Sequence, residues 1–269
     1  MKLHNLAPTA TDAEERNKPS DPMTPHGEVL RRIERLLADG VLKTAPEDNV
    51  CPRCYGTGFD VTPGRGARRC ECQRPAIVER RLSKVPPRYR GVTLAGLSAR
   101  TDLHAGQAAA VEYMKAHPDE SYVFCGKPGA GKTHLFWALY EHASQNLDRR
   151  LVACSMLQLI NQYRETFRPR ADPTEPPPVP DVYPNDLMAA GTRFSLFFDD
   201  IDKPKISEYV AEQIHALFDA AYNNNHQIVV TTNLKPADLD AHFTRADERY
   251  GGAIVRRIVH DGNNGFEFF

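Results

Sequence analysis

The chain has 269 residues, 34 Lys plus Arg against 35 Asp plus Glu, and an apolar fraction of 41%. That is enough chain for one sizeable domain plus a small appendage, with a buried core. A formal charge of −1 excludes a global field that would pull the protein onto nucleic acid or membrane, so any such contact must come from a local patch. No run of eighteen apolar residues occurs, and MKLHNLAPTATDAEERNKPS lacks both a signal-peptide core and an Arg-rich presequence. A cytoplasmic protein without membrane contact is expected, and six cysteines in that reducing compartment argue for metal binding or burial rather than disulfides.

Residues 1–27 are polar, with Pro8, Pro19, Pro22 and Pro25, and read as a disordered tail. From Glu28 to Asp39, Val29, Leu30, Ile33, Leu36 and Leu37 recur at helical spacing, predicting a short amphipathic helix.

Cys51, Cys54, Cys70 and Cys72 follow, in the pattern C-x2-C-x15-C-x-C. Two such pairs can converge on a tetrahedral site of four thiolates, for which zinc is the natural guest. Gly56 and Gly58 let the backbone turn around the metal. A redox pair would sit at a helix N-terminus, whereas glycine-rich sequence follows here. Between Arg65 and Arg90 stand nine basic residues against Glu71 and Glu79, either a contact for phosphates or an acidic surface, or a solvated helix face.

From Asp102 onward strand-like and helix-like patterns alternate, predicting an α/β domain with a mainly parallel sheet. The apolar strand Tyr122–Cys125 runs into Gly126, Lys127, Pro128, Gly129, Ala130, Gly131, Lys132, Thr133 and His134, and a helical pattern follows. This is a complete G-x-x-x-x-G-K-[ST] phosphate loop in strand-loop-helix context, and these nine residues are the expected ATP or ADP contacts. Glycines free the backbone N–H groups to wrap phosphates, Lys132 reaches the β and γ oxygens, and Thr133 binds Mg²⁺. Cys125 and Cys154, inside apolar strand patterns, read as buried small hydrophobes.

After SMLQLINQYRETF a proline-rich stretch at 168–186 reads as a surface loop or insertion. A second strand, in TRFSLFFDDID, ends in Asp199, assigned to the magnesium ion, and Asp200, assigned to the attacking water. Asp in that role is one methylene shorter than Glu, so slow hydrolysis is expected. A third strand, Gln227–Thr232, delivers Asn233 at its carboxyl end, where it can sense a γ-phosphate or position water.

The order of these motifs, C-x-x-C-x-G-x-G, then C-x-C, VPPRYRGVTLAGL, GKPGAGKT, LFFDDID and VVTTNL, resembles the bacterial and phage DnaC/DnaI-type helicase loaders of the AAA+ superfamily over roughly residues 50–260. The resemblance implies an ATPase domain at 85–269, with the proline-rich insertion, and a helix plus zinc module at 28–84 that contacts the helicase. It implies an ATP-switched protein, hydrolysing slowly and in assemblies, that places a hexameric DnaB-type replicative helicase on single-stranded DNA. It puts Arg88 or Tyr89 beside the adenine site, makes Tyr163, Arg164 and Arg168 candidate single-strand contacts where an ordinary amphipathic helix is the other reading, and, through RYGGAIVRRIVHDG, gives Arg257 (with Arg256 as fallback) as the arginine that reaches a neighbouring subunit's ATP. GFEFF reads as a final strand, and no α-helical lid domain is expected after it. An IstB-like targeting partner of a transposase shares the ATPase core and is the main alternative. A small-molecule P-loop kinase or a nucleotide-degenerate interaction protein fits less well.

Overall fold

In the computed structural model, residues 50–62, 66–146, 148–168, 176, 178–245, 248–259 and 263–268 are described. The expected tail at 1–27 and the helix at 28–39 lie outside them. The chain divides into two compact units, Met1–Cys70 and Glu71–Phe269. The sequence-based boundary stood between residues 84 and 85, whereas the helix α1 (Arg74–Leu82) belongs to the larger unit, as does Cys72.

In the smaller unit β1 (Phe59–Thr62) and β2 (Gly66–Arg69) form an antiparallel hairpin, Phe59 facing Arg69. The turn before it is tight. Tyr55 N–H donates to Cys51 O at 2.8 Å and Thr57 N–H to Cys54 O at 2.9 Å, with left-handed φ of 81° at Gly56 and 76° at Gly58. Those two positions therefore need glycine, because a Cβ disfavours that backbone region.

The larger unit is a five-stranded parallel sheet in the order β4-β5-β6-β3-β7, formed by β3 (Ser121–Gly126), β4 (Arg149–Ser155), β5 (Arg193–Asp199), β6 (Gln227–Thr232) and β7 (Asn263–Phe268). The helices are α2 (Leu94–Ser98), α3 (Ala105–Ala116), α4 (Lys132–Ser144), α5 (Met156–Glu165), α6 (Glu208–Asn223), α7 (Pro236–Thr244) and α8 (Gly251–Val259). Parallel strands covered on both faces read as unbroken apolar runs, and the period-two alternation of side chains then divides each run between two cores. Tyr122 and Phe124 enter a cluster with Val111, Met114, Phe136 and Tyr140 of α3 and α4. Val123 and Cys125 enter the other, with Leu159, Ile214, Phe243 and Ile254 of α5 to α8. The expected α/β fold, a parallel sheet flanked by helices and preceded by the cysteine segment, is what the chain adopts. Cys125 and Cys154 are buried, and burial pushes both thiols up to about 12.

Three expectations change. The basic run is in part structural: the Arg81 guanidinium donates to the carbonyls of Ser144 (2.9 Å), Asn146 (2.6 Å) and Arg149 (2.5 Å), closing the carboxyl end of α4, and Arg74 donates to Glu71 and to Gln145 O. The proline-rich stretch is not simply a surface loop, because Val182 is buried and its carbonyl accepts from Tyr163 OH at 2.9 Å. Tyr163 itself is buried, so its ring cannot stack on an external base; Arg164 and Arg168 stay at the surface, Arg168 paired with Glu165.

Candidate nucleotide-binding site

The carboxyl ends of β3, β5 and β6 converge at one edge of the sheet, with β6 lying between the other two. Ligands in parallel α/β sheets bind beyond such ends. From β3 the chain turns through Gly129 (φ 87°) and Gly131 (φ 83°) into the first turn of α4, whose dipole favours an anion there. Gly131 needs glycine because its φ is left-handed; a Cβ there would also stand 2.7 Å from Gln107 Nε2 and displace the tip of that side chain. Gln107 also donates from Nε2 to Ala130 O at 2.6 Å, tying the loop to the start of α3.

Lys132 opens α4 and is buried. Its ammonium donates to Gly126 O (2.7 Å), Lys127 O (3.0 Å) and Asn233 Oδ1 (2.9 Å). Burial pulls its pKa down, and Asp200, Asp202 and Asp199 oppose that pull. The cation is thus held inside the loop by dipoles and nearby carboxylates. Thr133 follows on the same turn, half-buried, and His134 packs its ring edge-on to Tyr89 at 5.0 Å, with the Arg88 guanidinium 5.8 Å from the Tyr89 ring. Burial first, then the charges of Arg88 and Arg100, hold His134 below the usual histidine range. The expected neighbours Arg88 and Tyr89 therefore stand at the phosphate-loop helix. Lys127, Pro128, Gly129 and Ala130 line a cavity of about 490 Å³ together with His104, Gln107 and Glu267.

Asp199 ends β5, and burial raises its carboxyl above the usual range. Thr231 of β6 offsets this by donating its hydroxyl to Asp199 Oδ1, and the same hydroxyl accepts the Asp200 N–H at 2.8 Å. Asp200 turns the chain with a left-handed φ of 53°, a region Asp tolerates better than most residues. Two residues on, Asp202 accepts from the Asn233 N–H at 3.0 Å and from Asn233 Nδ2 at 3.4 Å.

Lys132, Asp199, Asp200 and Asn233 are thereby brought into one cluster. Arg257 is not: it lies on α8 and pairs with Asp219 of α6 (Nε to Oδ1 2.5 Å), while Arg256 is exposed on the same helix. Sequence reasoning missed Thr231, Asp202 and Gln107. For the first two the only signal was position, as the first threonine of TTN and the fourth letter of DDID. The glycine turns, the buried lysine, Thr133 and the paired acids fit a magnesium-bound nucleoside triphosphate, with Thr133 and Asp199 as the residues to hold the metal.

The ligand atoms of Cys51, Cys54, Cys70 and Cys72 all lie within 4.8 Å of one another, Cys51 Sγ to Cys70 Sγ being 3.7 Å. Four thiolates around zinc at about 2.3 Å would stand roughly 3.8 Å apart, whereas a disulfide needs about 2.05 Å. The cluster therefore suits a tetrahedral metal. Among the described residues, no helix is long and apolar enough to cross a membrane.

No family model matches the chain. Part of it resembles bacterial replication initiators. Over 131 residues, 48% of this chain, it is 28% identical to the chromosomal replication initiator protein DnaA of Francisella philomiragia, and over 139 residues 27% identical to that of a Wolbachia from Brugia malayi. The match spans only about a quarter of those proteins, 24% and 27% of their lengths. Among solved structures, the DnaC helicase loader aligns over 68% of this chain and 100% of its own (TM-score 0.49, 19% identity). DnaI aligns over 69% of this chain and 95% of its own (TM-score 0.48, 18% identity).

Proposed function

We propose that the chain is an ATPase that loads a hexameric DnaB-type replicative helicase onto single-stranded DNA, with ATP binding and hydrolysis as its switch. The observation that carries the switch is Lys132 Nζ on Asn233 Oδ1 at 2.9 Å, because it joins the phosphate loop to the strand interposed before Asp199. Gly126 to His134 would cradle the phosphates; Lys132 would neutralise the β and γ oxygens. Thr133 and Asp199 would hold Mg²⁺, which polarises the transferred phosphoryl group. Asp200 orients water and Asn233 reads the γ-phosphate.

Arg257, with Arg256 as fallback, would complete the site of a neighbouring copy, so the chain self-associates through ATP. Arg257 must then leave Asp219 on assembly. Loading is supported by the order of motifs, by the cysteine cluster ahead of the ATPase unit, and by the similarity to replication initiators. The transposase-partner alternative keeps the same ATPase chemistry but gives the cysteine module a different client.

Native mass spectrometry of the full chain with its host's replicative helicase, in ATP, in ADP and without nucleotide, tests the proposal. Discrete nucleotide-dependent complexes with the helicase hexamer are expected. ATP binding without any helicase complex would overturn loading and favour the transposase partner.

A further inference from the structure

We propose that Asp202 is a positioning residue that fixes which end of the Asn233 amide faces the phosphate site; the inference rests on the sensor reading of Asn233. The two ends of a side-chain amide have nearly the same shape, so packing alone cannot choose between them, and hydrogen-bond partners must. Here the partners are on opposite sides. Asp202 Oδ2 accepts from Asn233 Nδ2 at 3.4 Å while Asp202 Oδ1 accepts from the backbone N–H of the same residue at 3.0 Å, so one carboxylate grips Asn233 twice. A carboxylate only accepts, so it keeps the NH₂ end. The carbonyl end is thereby turned to Lys132, whose ammonium only donates. Flipping the amide would set NH₂ against NH₃⁺ and C=O against a carboxylate.

The grip comes from the strand that also carries the acids. After Asp199 the chain makes a turn closed by Lys203 N–H to Asp200 O at 3.1 Å, and this turn carries Asp202 across to Asn233. In return Thr231 reaches from β6 to Asp199 and to the Asp200 N–H. The two contacts cross in opposite directions, so the acids and the amide are held as one frame. Pre-organised polar groups of this kind need no rearrangement when charge arrives.

The test is a titration of the full chain with fluorescent ATP and ADP analogues, in wild type, Asp202→Ala, Asp202→Asn, Asn233→Ala and the Asp202→Ala/Asn233→Ala double variant. The Asn233 carbonyl only accepts, so it reads the γ-phosphate through the Lys132 ammonium it holds; the ratio of ATP to ADP affinity is expected to fall about tenfold in each, the size of that one lost hydrogen bond to a charged group, with ADP affinity kept within about twofold. Asp202→Asn keeps the shape but adds an NH₂ donor, so it is expected to fail like alanine. The double variant is expected to be no worse than Asn233→Ala alone, because both remove one function. Additive losses, or a wild-type ratio in Asp202→Ala beside a reduced one in Asn233→Ala, would overturn the positioning role alone. A wild-type ratio in Asn233→Ala would overturn the sensor reading and this inference with it. Parallel loss of ADP binding in Asp202→Ala would also overturn it, since a scaffold residue acts on both nucleotides.

Discussion

Replacing Thr231 by valine removes one hydroxyl and almost nothing else. The side chain is fully buried, and its oxygen both accepts the Asp200 N–H at 2.8 Å and donates to the Asp199 carboxylate. A neutral bond of this kind contributes about 1 kcal/mol and one to a charged group about 1.5–3 kcal/mol, so Thr231→Val should cost about 2–4 kcal/mol. Thr231→Ser keeps the hydroxyl and loses a methyl, at about 1 kcal/mol. Urea unfolding followed through the single tryptophan, Trp137, which is buried in the larger unit, reads both. Valine also strips Asp199 of a contact that opposes the effect of burial, so its carboxyl should hold its proton more tightly and half-saturation by Mg²⁺ at neutral pH should rise. Valine equal to or more stable than serine, or unchanged magnesium dependence in the valine variant, would refute the reasoning.

Arg81→Met should leave nucleotide affinity unchanged but lower stability by about 2–4 kcal/mol, because three carbonyls from the end of α4 to the start of β4 lose a charged donor; urea midpoints and ADP titration check both halves. Asp199 is held above the usual carboxylate range by burial, so the folded chain keeps that proton after the unfolded chain has released it. The associated stability is present below the ordinary carboxylate pKa and is lost as pH rises to the raised value. Asp199→Asn should therefore melt higher than wild type at neutral pH without added metal, lose that advantage near pH 3, and have no magnesium-dependent turnover. Reduced, freshly purified protein should carry about one zinc per chain by metal analysis, and Cys54→Ser should lose it; no zinc in the wild type would return the cysteines to the redox reading.

What was legible in the sequence was what is contiguous. The phosphate loop carries its glycines, lysine and threonine in one string, and the acids and Asn233 each end an apolar run whose strand identity follows from composition. What could not be read depended on register between distant strands: Phe198 pairs with Val230, which puts Asp199 level with Thr231, and no local pattern encodes that pairing. The same holds for Arg81, whose carbonyl partners lie 63 to 68 residues away, and for Arg257, whose partner Asp219 is 38 residues back. Tyr163 is different. Met156, Leu159, Ile160 and Tyr163 are spaced as one buried helical face, so its burial was readable, and the ordinary amphipathic helix weighed against a DNA contact is what that face forms.

Only two residues, Leu234 and Lys235, separate Asn233 from Pro236 at the head of α7, and neither is slack. Leu234 N–H donates to Thr232 Oγ1 at 3.1 Å, and Lys235 O accepts from Leu239 N–H at 2.8 Å. At the far end of α7, a Cβ on Gly251 would stand 1.9 Å from Thr244 Oγ1, so α8 begins in direct contact with the helix before it. Asn233 and the arginine helix are thus the two ends of a stiff crank. The amide and the helix that carries Arg256 and Arg257 are therefore joined by one hydrogen-bonded turn, one helix and one close backbone contact.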